Sequence, residues 1–123
     1  MIELLKDFPD NVTALVCHGQ VTKADYEKVL IPDVTQRLGR HDKVRIYYEI
    51  APDFTGYDPG AIWDDTKLGL SHFLRWERLA LVTDIEWIKH SVTLFGFLMP
   101  AQLRAFPTKE ADAAREWIAE AHK

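Results

Sequence analysis

Residues 43–70, KVRIYYEIAPDFTGYDPGAIWDDTKLGL, decide the fold of this chain. Apolar and polar side chains alternate over Val44–Ile50, which predicts a β-strand. The loop that follows is rich in Gly and Pro, and Asp58 followed by Pro59 is typical of a helix start. The segment is therefore a βα unit, and in parallel sheets the loops of such units are where binding sites are built.

The same signals recur along the chain and predict one domain over residues 1–123. Apolar and β-branched runs predict strands at residues 2–6, 12–20, 44–50, 78–83 and 102–106. Helix starts are predicted at four good N-cap residues: Thr22, Asp58, Asp84 and Thr108. The order β-β-α-β-α-β-α-β-α predicts an α/β fold with a mostly parallel five-stranded sheet and an antiparallel first strand. Pro32 lies inside the first helix, so we expect a kink or a break there.

The third strand also predicts how the helices are distributed. A parallel sheet covered on both faces has near-continuous aliphatic strands. Here Arg45, Tyr47 and Glu49 alternate with aliphatic neighbours. We therefore expect four helices mainly on one face, with the other face partly open or paired with a second subunit.

Composition excludes several classes of protein. The net charge is −4 and Lys and Arg do not form runs, which disfavours nucleic-acid binding. Cys17 is the single cysteine, so no internal disulfide is expected and a reducing, cytoplasmic location is favoured. The opening residues have no signal-peptide pattern, and the longest apolar run, residues 94–99, is too short to span a bilayer. A peripheral membrane contact by this run lacks the flanking basic cluster that would support it.

No catalytic constellation or cofactor motif stands out. Cys17 and His18 are adjacent on a strand, so they point to opposite faces and cannot pair. The five histidines show no HxxxH or HxH spacing and no CxxC is present, so no metal site is expected. Asp64 and Lys67 are predicted to form an exposed ion pair on the second helix.

Two residues of that helix could line a groove. Asp65 and His72 share one flank and are separated by two turns, roughly 10 Å at the standard helical rise. They could therefore face the same ligand without touching each other.

Aromatic residues gather around the loop of residues 54–58. Phe54, Tyr57 and Trp63 lie in or near it, and Trp87 follows the next predicted strand. Because adjacent strands of a parallel sheet end at one edge, these rings would rim a pocket suited to an apolar or flat ligand. The alternative is that they only cover the core.

The chain resembles the SpoIIAA-like proteins, which are small bacterial proteins with a STAS-like fold, related to anti-sigma-factor antagonists. Two groups of residues carry the resemblance: Trp63, Asp65, Lys67, Gly69 and His72, and then Arg78, Ala80, Val82, Asp84 and Trp87. The helix start at Thr22, Asp25 and Tyr26 and the closing Ala114, Trp117 and Ile118 are also similar. The resemblance covers nearly the whole chain and implies a fold more than an activity.

In the antagonists that share this fold, the helix after the third strand begins with a serine that a kinase phosphorylates. The corresponding turn here is Gly56-Tyr57-Asp58-Pro59-Gly60, in which Asp58 stands at the capping place. A carboxylate there satisfies the helix N-terminus as a phosphate would. Thr55 is the nearby residue that could take over phosphorylation.

These observations predict a non-enzymatic binding or regulatory module without a cofactor, whose working edge is the βα-loop edge. The candidate partners are an apolar small molecule, another protein and a second copy of the chain. The candidate site residues are Phe54, Thr55, Gly56, Tyr57, Asp58, Trp63, Asp65, His72, Asp84 and Trp87.

Two alternatives stay open. The first is a carrier for a lipid-like molecule, as a fold-level relation to Sec14-type domains implies, with a cavity lined by Trp63, Leu70, Phe73, Phe95, Phe97 and Met99. The second is a small enzyme that uses His18 or His72 with a nearby Asp.

Overall fold

The computed structural model describes residues 1–71, 73–90 and 101–120, and their side chains apart from those of residues 65, 66, 69–71 and 73. The apolar run of residues 94–99 lies outside the described part. The main sheet consists of β1 (Ile2–Leu4), β2 (Val12–Cys17), β4 (Val44–Ile50), β6 (Trp76–Val82) and β7 (Gln102–Phe106). These strands lie side by side in this order, β1 antiparallel to β2 and the other neighbouring pairs parallel. The predicted five-stranded sheet is thus confirmed.

A second, two-stranded sheet was not predicted. It pairs β3 (Gln20–Val21) in parallel with β5 (Gly56–Tyr57). These short strands continue the chain beyond the ends of β2 and β4. They tie the loop of residues 54–58 to the segment that leads into the first helix.

The first helix, α1, covers residues 23–38 and begins at the predicted cap. The Thr22 hydroxyl accepts a hydrogen bond from the Asp25 backbone N–H at 3.2 Å, and the Asp25 carboxylate accepts one from the Thr22 N–H at 2.8 Å. This reciprocal pair is a capping box. The helix then passes through a π-helical turn, Tyr26–Leu30, into the α-helical segment Ile31–Leu38.

The π-helical turn explains how α1 accommodates Pro32. The Ile31 N–H donates to the carbonyl of Tyr26, five residues earlier. Proline has no N–H and its ring clashes with the preceding turn of a regular α-helix. The wider turn directly before Pro32 relieves this conflict, so the predicted irregularity occurs and the helix still continues to Leu38.

Three further helices complete the fold. Helix α2 is Pro59–Ser71, the described part of α3 is residues 86–90, and α4 is Ala111–Ala119, preceded by a 3-10 turn at Thr108–Glu110. Helices α1 and α2 bury one face of the sheet, where a shared core is formed by Leu15, Cys17, Val21, Tyr26, Leu30, Val34, Val44, Ile46, Ala61 and Leu68. Ile88 of α3 packs on the same face against Ile50 and Leu81. Three of the four helices therefore share one face, as expected.

The opposite face is covered, contrary to the sequence-based expectation. Arg45 is 3% exposed and Tyr47 is fully buried, while Glu49 is half-buried. Tyr47 packs in a core with Ala114 and Ile118 of α4. The last helix folds back over this side of the sheet, so the prediction of a face that is partly open or paired with a second subunit is wrong.

Polar groups on this covered face have partners within the chain. The Arg45 guanidinium donates to Glu77 and to the backbone carbonyls of Ile118 and Glu120 at the end of α4. The Tyr47 hydroxyl donates to the Glu49 carboxylate at 2.6 Å. Burial, followed by this hydrogen bond, raises the pKa of Tyr47 well above its usual range. The polar strand residues are thus buried because α4 and the neighbouring strands satisfy them.

Candidate functional site

The loop after β4 is held tightly at the carboxyl edge of the sheet. The Thr55 N–H donates to the Gly19 carbonyl at 2.8 Å, and the Phe54 N–H donates to the Ala51 carbonyl at 3.0 Å. Gly56 has a φ of +139°, a conformation that side chains rarely allow. The Thr55 side chain is exposed on this loop. The loop is therefore a defined surface and Thr55 is accessible on it.

Asp58 links the starts of two helices. Its Oδ1 accepts a hydrogen bond from the Ala61 N–H at 2.7 Å, which caps α2 as predicted. Its Oδ2 accepts one from the Lys23 N–H at 3.2 Å, at the first residue of α1. A Cβ on Gly60 would lie only 3.0 Å from the Cβ of Lys23, so the two helices approach closely here. The Asp58 carboxylate is thus used by the structure itself.

A chain of hydroxyl groups runs beneath the loop. The Phe54 and Tyr57 rings pack edge to face with their centroids 5.0 Å apart. The Tyr57 hydroxyl lies 2.7 Å from that of Tyr48, which lies 3.2 Å from that of Tyr26 in the π-helical turn. Tyr57 and Phe54 are half-buried, and Tyr26 is 1% exposed. This connection was missed because Tyr26 and Tyr48 each looked like ordinary core positions in the sequence.

The segment after β6 lies at the same edge as the loop. Phe54 and Ile85 pack against one cluster formed by Ile50, Leu81 and Ile88. Residues 54–58 and 84–87 therefore share one edge of the sheet, as the parallel arrangement requires. We call this edge, with the first two turns of α2 and the first turn of α3, the rim.

Asp84 connects the rim to the last helix. The Asp84 carboxylate accepts a hydrogen bond from the Thr108 N–H at 2.9 Å. This bond lowers the pKa of Asp84, with smaller contributions from Lys89 and Lys109. The Thr83 hydroxyl accepts from the Ile85 N–H at 3.1 Å just before α3. Asp84 therefore positions the chain segments that leave β6 and β7. Its predicted role as the N-cap of α3 is wrong, because α3 begins at residue 86 and the carboxylate is bonded to Thr108. Thr108 is likewise the first residue of the 3-10 turn and not its cap, which is Pro107.

Two tryptophans project from the rim into solvent. Trp63, in the second turn of α2, is 62% exposed, and Trp87, at the start of α3, is 63% exposed. Ile62 beside Trp63 is 55% exposed. These side chains present a surface, whereas Phe54 and Tyr57 pack beneath it. The exposure of Trp63 also contradicts its predicted role in lining an internal carrier cavity.

The remaining site predictions on α2 fall partly outside the described residues. Asp65 belongs to α2, but its side chain is not among those described, and His72 lies outside the described part. The same applies to the other side chains proposed for a carrier cavity, namely Leu70, Phe73, Phe95, Phe97 and Met99.

Asp64 differs from its expected position. It is 3% exposed and shares the core-facing side of α2 with Ala61 and Leu68, whereas Lys67 is exposed. The predicted exposed ion pair is therefore wrong. Asp64 Oδ2 is buried and has no hydrogen-bond partner in the described part of the chain. The sequence contained a signal, since positions 61, 64 and 68 have helical spacing, but a carboxylate is not an expected core residue.

His18 lies between two carboxylates at the end of β2. Its Nδ1 is 3.2 Å from Asp53 Oδ1, and its Nε2 is 3.1 Å from Glu3 Oε1. Cys17 is buried on the other face of the sheet, as the strand alternation predicts. Both ring nitrogens of His18 thus have acidic neighbours, an arrangement that can hold the ring in place. Among the described residues, no group of three or more His, Cys, Asp or Glu side chains could hold a metal ion.

A cavity of about 510 Å³ lies at the opposite, amino edge of the sheet. It is lined by charges of both signs, including Lys43, Arg45 and Glu77. No local sequence pattern indicates this cavity, because its walls come from segments distant in the chain. Within the described residues, no helix is long and apolar enough to cross a membrane.

Comparison with known proteins agrees with this geometry. The sequence model of the SpoIIAA-like family matches residues 12–119. The fold is similar to that of an uncharacterized protein from Shewanella loihica PV-4 with a SpoIIAA-like fold, with a TM-score of 0.71 and 23% sequence identity. The match covers 95% of this chain and 93% of that chain. No curated protein sequence matches this chain.

Proposed function

Because this chain belongs to the SpoIIAA-like family, we propose that it is a non-enzymatic regulatory module that binds a partner protein at the rim. The family fold is that of a regulatory or binding module, and members of the family interact with partner proteins. Among the residues that the structure describes, the rim is the surface that best suits such an interaction.

The exposed indoles of Trp63 and Trp87 are the observation that carries this proposal. Each is more than three-fifths exposed, and both lie within the first two turns of helices that start at one edge of the sheet. Tryptophan is enriched among the residues that dominate binding energy at protein interfaces. The exposed part of each indole is apolar area that a partner protein can bury, which favours association.

The rigid base beneath the rim supports the same proposal. Phe54 and Tyr57 are packed together, and the Tyr57 hydroxyl is bonded to Tyr48. Asp58 holds the starts of α1 and α2 together. A surface fixed before binding loses little conformational entropy when the partner arrives, which favours affinity.

Asp58 also bears on regulation at this edge. In the anti-sigma-factor antagonists that the sequence resembles, a serine occupies the corresponding helix start. In this chain the same place is occupied by a permanent carboxylate. Its two oxygens accept bonds from Ala61 and Lys23. The module therefore binds its partner without a phosphorylation switch at residue 58, and the exposed Thr55 is the remaining place for such control on the loop.

Site-specific photocrosslinking in the source cell tests the proposal. A photoreactive amino acid at position 63 or 87 is expected to capture one common protein, identified by mass spectrometry. The matched control position is Leu74, which is apolar and 72% exposed but precedes β6 at the opposite edge. Binding of the purified partner is then measured by calorimetry.

Trp63→Ala and Trp87→Ala should each weaken binding at least about tenfold, as expected for interface hot spots. Leu74→Ala should change the affinity less than about twofold. Equal effects of the three substitutions, or different proteins captured at positions 63 and 87, would contradict the proposal. Native mass spectrometry that shows a co-purified apolar molecule would support the carrier alternative instead.

A further inference from the structure

A second surface, distinct from the rim, lies around Arg104 on the last strand of the sheet. Arg104 is exposed, and its Cζ lies 4.9 Å from the ring centroid of Phe106 and 5.3 Å from that of Trp117. In the described part of the chain no carboxylate or carbonyl accepts a hydrogen bond from its guanidinium. Stacking on aromatic rings fixes the plane of a guanidinium and leaves its N–H groups available.

A second guanidinium adds positive charge at the same indole. Arg78 on β6 lies with its Cζ 5.1 Å from the ring centroid of Trp117. It donates to the Trp117 carbonyl at 2.8 Å and lies 3.7 Å from a carboxylate oxygen of Glu120. Arg78 is thus largely engaged within the fold, whereas among the described residues no group accepts a hydrogen bond from the guanidinium of Arg104 beside it.

The outer edge of β7 adds a second feature beside Arg104. β7 is the last strand in the sheet order and pairs with β6 on one side. No strand of the described residues pairs with its outer side. Gln102, Arg104 and Ala105 are exposed along it. The edge of a sheet presents N–H and C=O groups to which an extended peptide can add.

We propose that the outer edge of β7, together with Arg104, is a docking site for an extended acidic polypeptide segment of a partner protein. The segment adds as a sixth strand and places an Asp or Glu side chain against the Arg104 guanidinium. Its alternate side chains lie beside Leu103 and Ala105 on the other face, so they are small or apolar. The partner is a polypeptide because only a polypeptide offers both a carboxylate for the Arg104 guanidinium and backbone N–H and C=O groups for the edge of β7.

The charge distribution disfavours other occupants. The net charge of −4 opposes nucleic acids and anionic membranes, whereas an isolated acidic side chain is attracted locally by Arg104 and Arg78. A second copy of this chain is disfavoured for another reason. Arg104 is the central residue of β7, so two-fold antiparallel pairing along the full length of the strand would place it opposite itself, and like charges in that position are destabilising.

A peptide titration followed by NMR tests this proposal. The probe is the peptide Val-Glu-Val-Glu-Val-Glu-Val with blocked ends, and the matched control peptide has Gln in place of Glu. We expect the acidic peptide to shift the amide resonances of residues 102–106 and to slow their hydrogen exchange. The Gln peptide should bind about tenfold more weakly, because a bond to a charged group is stronger than a neutral one.

Substitutions distinguish the contribution of Arg104 to peptide binding from that of positive charge elsewhere on the same face. Arg104→Ala should weaken binding of the acidic peptide about tenfold. Arg115→Ala is the matched control, since Arg115 is also exposed and its Cζ lies 4.8 Å from the ring centroid of Phe8 on the same face of the sheet. It should change the affinity less than about twofold. Arg104→Glu should transfer the preference to a peptide with Lys in place of Glu.

Three results would overturn the proposal. The first is that the acidic peptide does not slow the hydrogen exchange of the amides of residues 102–106. The second is equal binding by Arg104→Ala and the unmodified protein. The third is inorganic phosphate that shifts the same resonances as strongly as the peptide, which would make the site a simple anion site. None of these results bears on the rim, because Trp63 and Trp87 take no part in this site.

Discussion

Asp58 and Lys23 are 35 positions apart, yet the Asp58 carboxylate accepts a hydrogen bond from the Lys23 backbone N–H while it caps its own helix at Ala61. One side chain therefore satisfies backbone donors of two helix starts. Because helix N-termini leave N–H groups without intrahelical acceptors, this shared cap couples the stability of α1 and α2.

Asp58→Ala should lower the free energy of unfolding by about 1–2 kcal/mol, near the upper end for a single N-cap, because two helices lose an acceptor. Asp58→Asn keeps a side-chain oxygen for one of the bonds and should cost less. Urea denaturation of the three proteins measures both effects. An alanine variant as stable as the original protein would show that the shared cap contributes nothing.

Asp64→Leu should raise the free energy of unfolding by about 1–3 kcal/mol, because it removes a buried carboxylate oxygen that lacks a partner. Lys67→Leu, on the exposed side of the same helix, should change stability by less than about 0.5 kcal/mol. Thermal and urea unfolding provide the measurement. A leucine variant at position 64 that is less stable than the original would mean that the carboxylate is satisfied in solution.

Glu77→Ala should cost about 3 kcal/mol of stability, because it leaves the guanidinium of Arg45 buried without its carboxylate partner. Glu120→Ala is the matched control, since its pair with Arg78 is 3.7 Å long and its side chain is 55% exposed. That change should cost less than about 1 kcal/mol. Similar losses for both variants in urea denaturation would contradict this account of the covered face.

Asp25→Asn should be less stable than the original protein at pH 7, and the difference should shrink in acid. Burial by itself raises the pKa of Asp25, but the hydrogen bonds from the backbone and side chain of Thr22 outweigh it and lower the pKa below the ordinary value of 3.8. A group with a lowered folded pKa stabilises the protein above its unfolded pKa. That contribution is lost as the pH falls from the pKa of Asp25 in the unfolded chain through its lower pKa in the folded protein.

Denaturation of both proteins at pH 7, and then at a series of values below 3.8, measures this difference. Thr22→Val removes the hydroxyl partner of Asp25. It should therefore also make the stability of the protein less dependent on pH in the acid range. A stability difference between Asp25→Asn and the original protein that stays constant through the acid range would refute the assignment.

Local sequence signals predicted the sheet and the cap at Asp58 well. Val44–Ile50 and Gln102–Phe106 are observed with the predicted bounds. Alternation and capping depend on residues close in the chain, so their physics can be read locally. The short pairing of β3 with β5 was not predicted, because two-residue strands have no periodicity to detect.

The candidate site was predicted in part. The shared edge of residues 54–58 and 84–87 followed from parallel strand order, and it is observed. The hydroxyl chain of Tyr26, Tyr48 and Tyr57 joins three separate segments, so no local pattern indicates it. The binding role of the rim stays a prediction that the crosslinking experiment decides.

The sequence by itself determined the strands, the helix starts at Thr22 and Asp58 and the family, because each depends on neighbouring residues or on their order. Only the tertiary structure decided which face α4 covers and therefore that Arg45 and Tyr47 are buried. The handedness of crossovers places a helix that connects two parallel strands, but α4 follows the last strand and has no such constraint. Its position depends on side-chain packing and on the Arg45 hydrogen bonds at its end, which form only in the folded protein.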